Sequence, residues 1–259
     1  MLVRQEWRGA EPAREPWDTL VRLDLTTGEE RPLYPEVGPQ ARVLTPNYAP
    51  DGTWAYAQVS CCLSFQLLIL DGRPPQPIPT STFLPAALRE DAFAIPGPPT
   101  PDGRILMAVT CCMGPTPPEN LSGIYAVARD LVAAQRLTAG ESPIPLGLGP
   151  GGAWLAALRH VPAGLAEARP ALVAIALPGG DERTLIPATG LPLAQRGAVS
   201  SDGTIAVATR QGDSYPVVLD GLWAVTADGA RRNVTGAAIP TFTTFAWAPA
   251  SVVAALPRP

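Results

Sequence analysis

The amino-acid sequence predicts an all-β fold, a single β-propeller domain that spans residues 1–259. A tight turn recurs about every 50 residues, and its copies are Pro50-Asp51-Gly52, Pro101-Asp102-Gly103, Pro150-Gly151-Gly152, Ser201-Asp202-Gly203 and the degenerate Ala248-Pro249-Ala250-Ser251. Asp-Gly and Gly-Gly supply the positive φ that a tight turn between antiparallel strands needs. A fixed period of this length in a β-rich chain indicates a propeller or a similar array. Helices are disfavoured, because Gly and Pro interrupt the chain about every ten residues.

Each recurring turn is surrounded by the same pattern of apolar strands. The near-continuous apolar runs are typical of strands that are buried on both faces, as in a blade packed between two neighbours. The innermost strands, before the turns, are predicted at 43–49, 93–99, 144–149, 193–199 and 242–248. The strands after the turns are predicted at 54–59, 105–109, 153–158, 204–208 and 252–256, the next strands at 67–70, 124–127, 172–175 and 222–225, and the short outer strands at 76–78, 135–138, 183–186 and 232–235.

The two ends of the chain are each an incomplete unit. The N-terminus supplies a strand at 20–24, a turn at Thr27-Gly28 and an outer strand at 31–33, whereas the C-terminus supplies the inner strands 242–247 and 252–256. Pairing these segments would close the ring and satisfy strand edges that are otherwise unpaired. The sequence therefore predicts five blades of four antiparallel strands. Residues 1–7 also resemble a second strand, and six blades, or a fragment of a longer chain, remain the alternatives.

The repeats resemble the TolB-like, WD-related propeller repeat. In that repeat a Ser/Pro-Asp-Gly turn precedes an Ile-Ala-Phe-like strand, and an Arg-x-Leu-Thr outer strand ends the unit. The segments that match it best are Ser201-Asp202-Gly203-Thr204-Ile205-Ala206-Val207 and Gln135-Arg136-Leu137-Thr138. The resemblance covers essentially the whole chain and implies the fold. It says little about function, because such repeats serve periplasmic scaffolds, peptidase regulatory domains and surface-layer proteins alike.

Composition narrows the classes of partner and compartment. The net charge is −4 and there is no basic run beyond Arg231-Arg232, so a nucleic-acid partner is not expected. No apolar stretch reaches the roughly 18–20 residues of a membrane helix, and we expect no membrane insertion. The N-terminus becomes charged at Arg4 and Glu6 and is not a signal peptide, which indicates a cytosolic protein or a mature or trimmed form of an exported one.

The four cysteines form two adjacent pairs, Cys61-Cys62 and Cys111-Cys112, in consecutive units. Aligning the turns makes Cys61 equivalent to Cys112, and side-chain alternation then allows a cross-blade disulfide between Cys61 and Cys111 or between Cys62 and Cys112. Buried thiols are the alternative. A zinc site is a poor match, because zinc ligands are usually separated by two to four residues. Oxidised cysteines would favour a periplasmic or extracellular location, which the sequence otherwise leaves unknown.

The predicted inner strands carry no Asp or Glu, and Arg196 is their only charged residue. Propeller glycosidases place paired carboxylates on these strands, so a carboxylate mechanism at the axis is disfavoured. His160, the only histidine, is predicted in a loop, and no Gly-x-Ser-x-Gly elbow accompanies it. The long loops 112–122 and 159–170 should project from the same rim as the cysteines, where recognition usually resides. The candidate binding residues on rim loops are Glu90, Asp91, Pro117, Glu119, His160 and Arg196.

The sequence thus favours a non-enzymatic binding or assembly module that engages a protein or glycan partner through its rim loops, with self-assembly as a further possibility. We expect no cofactor, no bound metal and no catalytic residue. Two alternatives remain open. One is a structural subunit of an extracellular filament or surface layer. The other is a hydrolase or lyase that acts on glycans or peptides through loop residues such as Glu90, Asp91 or Glu119.

Overall fold

The computed structural model describes residues 2–8, 15–24, 27–37, 41–49, 51–61, 64–86, 89, 92–111, 121–140, 143–160, 170–177, 180–211 and 218–235. Their regular structure is almost entirely β-strand. The strands are β1 Leu2–Arg8, β2 Glu15–Leu23, β3 Glu30–Pro32, β4 Ala41–Tyr48, β5 Ala55–Cys61, β6 Ser64–Leu70, β7 Pro77–Pro79, β8 Ala92–Pro99, β9 Ile105–Cys111, β10 Gly123–Val127, β11 Ala134–Arg136, β12 Ile144–Leu148, β13 Trp154–His160, β14 Pro170–Ala176, β15 Glu182–Ile186, β16 Leu193–Val199, β17 Ile205–Gln211, β18 Val218–Val225 and β19 Arg231–Asn233.

The strands form five antiparallel sheets, numbered here in chain order. Sheet 1 has three strands, β1-β2-β3, and the other sheets have four strands each: sheet 2 is β4-β5-β6-β7, sheet 3 is β8-β9-β10-β11, sheet 4 is β12-β13-β14-β15 and sheet 5 is β16-β17-β18-β19. Strand order follows chain order in every sheet, so each is a simple meander. The predicted turn positions and strand types are confirmed in the four four-stranded sheets.

The described residues fall into two compact units. The first comprises Met1–Leu121 with Tyr125–Gln135 and contains sheets 1 and 2 and most of sheet 3. The second comprises Ser122–Ile124 with Arg136–Pro259 and contains sheets 4 and 5. The start of β10 belongs to the second unit, where it pairs with the segment that follows β11.

Sheet 1 differs from the predicted closing blade. The position beside β2 that we expected 252–256 to fill is occupied by β1, with Leu2 opposite Val21 and Arg8 opposite Glu15. The physical reason is local, since a neighbouring segment of chain pairs at a smaller entropic cost than a distant one. The C-terminal segments 242–247 and 252–256 lie outside the described residues. Closure of the ring and the choice between five and six blades therefore stay predictions.

Each unit has its own apolar core. In the first, Tyr56 and Leu67 of sheet 2 pack with Ile105 and Met107 of sheet 3, and all four are fully buried. The Tyr56 hydroxyl donates to the carbonyl of Gly97 at 2.7 Å, which satisfies its buried polar end. A second cluster, Leu20, Val43, Ala57, Val59 and Leu68, joins sheets 1 and 2. In the second unit the core comprises Leu146, Ala156, Leu158, Leu172, Ile186, Leu193, Ile205, Val207 and Val225.

The first strands of sheets 4 and 5 approach each other through two glycines. A Cβ atom built on Gly147 would lie 3.0 Å from the Val199 side chain, and one built on Gly197 would lie 2.6 Å from the Leu146 side chain. Each glycine thus makes room for an aliphatic residue of the facing strand. The close approach explains why these two first strands can carry glycine, which otherwise weakens a strand.

The turns between first and second strands have two lengths. In sheets 2 and 4 the closing hydrogen bonds, Ala49 N–H to Trp54 O and Gly149 N–H to Trp154 O, span six residues. In sheets 3 and 5 they run from Thr100 N–H to Arg104 O and from Ser200 N–H to Thr204 O and span five. In both longer turns the carbonyl that closes the turn belongs to a tryptophan, Trp54 or Trp154.

Several turn aspartates are fixed by hydrogen bonds within the turn. The Asp202 carboxylate accepts from the Ser200 hydroxyl and, at 2.9 Å, from the Thr204 N–H. These bonds, the Ser200 bond foremost, hold the pKa of Asp202 below its ordinary value of 3.8. Asp228 repeats the pattern with Thr226 and Ala230, and its pKa is also lowered. Thr53, through its N–H and its hydroxyl, lowers the pKa of Asp51.

We therefore expect the free energy of unfolding to fall in acid. A carboxylate whose pKa is lower in the folded state than in the unfolded chain contributes stability above the unfolded value, here 3.8, and loses it as the pH falls through the folded pKa. Urea unfolding of the Asp202→Asn variant between pH 6 and pH 2 should show a shallower decline than the parent protein. If the free energy of unfolding falls equally steeply with pH in both proteins, the Asp202 carboxylate does not contribute.

Candidate functional site

Most of the predicted rim residues lie outside the described part of the chain: Cys62, Glu90, Asp91, Cys112, Pro117 and Glu119. The structure gives the backbone positions of the other four candidates: Cys61, Cys111, His160 and Arg196. His160 is the last residue of β13, opposite Pro170, so the expectation that it follows the strand is wrong by one residue. Arg196 lies in β16, within a register shift between Leu193 and Gly197. The binding roles of all these residues stay proposals.

The cysteine pairs align differently from the sequence-based expectation. β5 begins at Ala55 and ends at Cys61, and β9 begins at Ile105 and ends at Cys111. Ala55 and Ile105 hold the same place in the two sheets, because each pairs with the end of the first strand of its sheet. Cys61 is therefore equivalent to Cys111, not to Cys112. The difference of one residue arises because the first turn of sheet 2 is one residue longer than that of sheet 3. The described residues include no disulfide, and the redox state of the cysteines stays a prediction.

The meander order of strands places two kinds of turn at the same end of each sheet. The turn between first and second strands and the turn between third and fourth strands share one end, and the middle loop lies at the other. The long loops singled out in the sequence are middle loops, and 112–120 and 161–169 lie outside the described residues. A site whose side chains are described lies at the opposite end, between the last turns of sheets 2 and 3.

A single carboxylate organises this site. Asp71, in the last turn of sheet 2, has a side chain that is only 10% exposed. Its Oδ2 accepts hydrogen bonds from Arg73 Nε at 2.9 Å and from the terminal nitrogens of both Arg73 and Arg129. Its Oδ1 accepts from the Arg73 N–H at 3.2 Å. Asp71 therefore links its own turn to the last turn of sheet 3, which carries Arg129.

Arg129 is held from a second direction. Its guanidinium carbon lies 5.3 Å from the centre of the Trp54 ring, a cation–π contact with the first residue after the long turn of sheet 2. Arg129 also lies near enough to Asp51 to contribute to the lowered pKa of that carboxylate, after the larger effect of Thr53. Arg129 is thus fixed against sheet 2 by the Trp54 ring and the Asp71 carboxylate.

The turn that carries Arg129 has an unusual backbone. Leu131 has a φ of 57°, the only positive value among the non-glycine residues described. Its N–H donates to the Ala128 carbonyl at 2.9 Å, and in the last turn of sheet 5 the matching donor is Gly229, with a φ of 92°. Leucine in this conformation costs about 1–2 kcal/mol. The Leu131 side chain is fully buried in the core, and this burial offsets the cost.

A groove of about 440 Å³ lies between the two turns and will be called the turn groove. Ile69, Ile78 and Ala128 form its apolar floor, and Arg73, Arg129 and Asp130 supply its polar walls. The Asp130 carboxylate accepts from the Val132 N–H at 3.0 Å, within its own turn. Arg73 is the most solvent-exposed member of the Asp71 cluster, with 79% of its side chain accessible.

Sequence reasoning located both turns but not the groove between them. The predicted strands 67–70 and 76–78, like 124–127 and 135–138, imply a turn between the two members of each pair, and these turns contain Asp71 and Arg129. Their meeting depends on how two sheets pack, and the period of a repeat does not report which side chains meet across sheets. The one available signal is Leu131, which stands where other last turns carry glycine.

Two absences hold for the described residues. No group of three or more His, Cys, Asp or Glu side chains in them is arranged to hold a metal ion. Nor do they include a helix with the length and hydropathy needed to cross a bilayer.

Comparison with solved structures gives the fold a known type. TolB from Acinetobacter baumannii superimposes on 89% of this chain with a TM-score of 0.55 and 19% sequence identity. This is a TolB-like β-propeller fold. A puromycin hydrolase matches 93% of the chain with a TM-score of 0.51 and 15% identity. The resemblance inferred from the turn and outer-strand motifs is therefore confirmed at the level of the fold.

At this level of identity the similarity shows the fold alone. The propeller chain spans 51% of the TolB chain and 36% of the puromycin hydrolase chain. No protein-family model and no curated protein sequence matches it. At these identities the neighbours establish the β-propeller module and leave its specific function to argument from its own residues.

Proposed function

We propose that this chain is a non-enzymatic β-propeller module that binds a partner, a protein in the first instance, through the turns and loops at its rims. The observation that carries the proposal is the composition of the first strands. β4, β8, β12 and β16 contain no Asp or Glu. Hydrolysis by a carboxylate pair on these strands would need two acidic groups there.

The rim between sheets 2 and 3 supports binding through side chains rather than through strand addition. The outer strand β7 is only three residues long, and two of them are Pro77 and Pro79, which have no N–H to donate. The turn groove, in contrast, presents an apolar floor and charged walls on a fixed scaffold. Such preformed concave surfaces with a few polar groups are typical of binding sites.

Oxidised cysteines and an extracytoplasmic location belong to the same proposal. The equivalence of Cys61 with Cys111 removes the alternation argument for the pairings Cys61–Cys111 and Cys62–Cys112. A disulfide that joins one cysteine of each pair would still tie sheet 2 to sheet 3. Intact-mass measurement after alkylation, with and without prior reduction, counts the free thiols directly. Four alkylated cysteines without reduction would remove this part of the proposal.

The central test has an enzymatic arm and a binding arm. Purified protein is incubated with puromycin, a set of peptide p-nitroanilides and a set of oligosaccharides, and we expect no turnover above a protein-free blank. Puromycin is included because one similar structure is a puromycin hydrolase. Turnover that is lost in Glu90→Gln, Asp91→Asn or Glu119→Gln variants would overturn the proposal in favour of a loop-based hydrolase or lyase.

In the binding arm, partners are crosslinked in a lysate of the native host and identified by mass spectrometry. A partner supports the proposal only if the separately purified protein binds the propeller again with saturable affinity and fixed stoichiometry. Light scattering of the propeller alone reports self-assembly. Purified protein that polymerises by itself and rebinds no partner would instead favour the filament or surface-layer alternative.

A further inference from the structure

We infer that the turn groove is a binding site for a peptide segment in which an aliphatic residue stands next to an acidic one. This inference rests on the proposed binding function and gives it a place and a ligand chemistry. It depends on three features of the described residues: the apolar lining, the distribution of charge around it, and the solvent exposure of Arg73.

The floor selects the aliphatic part of the ligand. Ile69 and Ile78 are partly buried and pack against the core shared by sheets 2 and 3, so they form a fixed surface. Ala128 is small and leaves space above the turn. A groove of about 440 Å³ accommodates one branched side chain together with a short piece of backbone. Covering this floor with an apolar side chain removes hydrocarbon from water on both partners.

Arg73 is the cation of this cluster that a ligand can reach most easily, although its guanidinium is bonded to Asp71. Its side chain is 79% exposed, whereas Asp71 is 10% exposed and also receives a bond from Arg129 and one from the Arg73 backbone. If the Arg73 guanidinium moves to an incoming carboxylate, Asp71 keeps the other two donors. The exchange therefore leaves no buried carboxylate without a donor, which would be costly.

The remaining charges set the direction of the ligand. Arg129 is bonded to Asp71 and lies against the Trp54 ring, and it is less exposed than Arg73, at 38% against 79%. Asp130, on the sheet 3 wall, would repel a ligand carboxylate. The acidic residue must therefore lie at the Arg73 end of the groove. This pattern of one exposed cation on one wall and a carboxylate on the other is complementary to an acidic residue on the Arg73 side only.

The experiment uses fluorescence polarisation with labelled hexapeptides. The probe is Gly-Ser-Leu-Glu-Ser-Gly, and the comparison peptides replace Glu by Lys or Leu by Ser. We expect saturable binding of the Leu-Glu peptide and at least about tenfold weaker binding of the other two, a difference of about 1.4 kcal/mol. Equal binding of the Leu-Glu and Leu-Lys peptides would overturn the proposal.

Charge reversal at Arg73 supplies the site-specific arm. Arg73→Glu should weaken the Leu-Glu peptide by at least about tenfold, and Ala128→Leu, which fills the floor, should weaken it as well. The matched control is Arg31→Glu, because Arg31 is 72% exposed and pairs with Glu29 in the last turn of sheet 1, away from the groove. Urea unfolding confirms that each variant folds. Unchanged affinity in the Arg73 variant would place peptide binding elsewhere.

Failure here can be told apart from failure of the binding function. If no hexapeptide binds at millimolar concentration while a purified partner does, the proposed peptide site in the turn groove is wrong. The proposed binding function of the chain is then still supported. If a purified partner binds and Arg73→Glu leaves its affinity unchanged, the groove is again excluded as the contact.

Discussion

Replacing Gly123 by alanine is expected to destabilise the second unit by about 3 kcal/mol or more, at the upper end of what overpacking costs. A Cβ atom at this position would lie 2.2 Å from the carbonyl oxygen of Thr138, which is backbone and cannot swing away. The Arg136 guanidinium crosses the same place, where it donates to Thr138 O at 3.0 Å and to Ser122 O at 2.6 Å. An added methyl group must therefore displace both the strand and the arginine.

Gly140→Ala is the matched control for this prediction. Gly140 has a φ of 92° and no atom within 4 Å of its would-be Cβ, so alanine there meets only the conformational cost of about 1–2 kcal/mol. Urea unfolding followed by tryptophan fluorescence gives both values. If the two variants lose the same stability, the close contact between Gly123 and Thr138 is not a constraint.

The second large effect concerns Leu131. The order of stability of its alanine and glycine variants shows whether the backbone there is strained. Leu131→Ala should lose about 2–5 kcal/mol, because it removes a fully buried side chain and keeps the strained backbone. Leu131→Gly loses the same side chain but relieves the positive φ. We therefore expect the glycine variant to be more stable than the alanine variant by about 1 kcal/mol.

This order reverses the usual one, since glycine is ordinarily the more destabilising of the two. Urea unfolding of the three proteins at one pH decides the question. Leu106, fully buried within β9, is the matched control position, where the alanine variant should be the more stable. An alanine variant at Leu131 that is more stable than the glycine variant would show that the turn is not strained.

Much of this architecture could be predicted, because the turns and strands are determined by short local sequence patterns. The Asp-Gly turns at Gly52, Gly103 and Gly203 all have positive φ, as the turn type demands. The apolar runs between them became the strands of four sheets, with most boundaries within two or three residues. The short outer strands, such as β19, were also placed correctly, because the turn before each of them is marked by glycine or aspartate.

What could not be predicted depends on contacts between repeats. Residues 1–7 resemble a second strand in the sequence, but only the observed pairing of β1 with β2 shows that they, and not 252–256, take this place. The equivalence of Cys61 with Cys111 depends on one extra residue in a turn, which alignment by glycines conceals. The turn groove depends on the meeting of Asp71 and Arg129, 58 residues apart, and no periodicity reports such a meeting.

The first turn of each sheet alternates between six residues, in sheets 2 and 4, and five residues, in sheets 3 and 5. The turns that end in Trp54 and Trp154 match each other, as do those containing Asp102 and Asp202, and in each case the partner stands 100 positions later. Ile105 and Ile205 keep the same separation. These features therefore recur every two sheets, at a separation of 100 positions, within the shorter repeat of about 50 residues. Any search for the ancestry of this chain should compare it with doublets of about 100 residues.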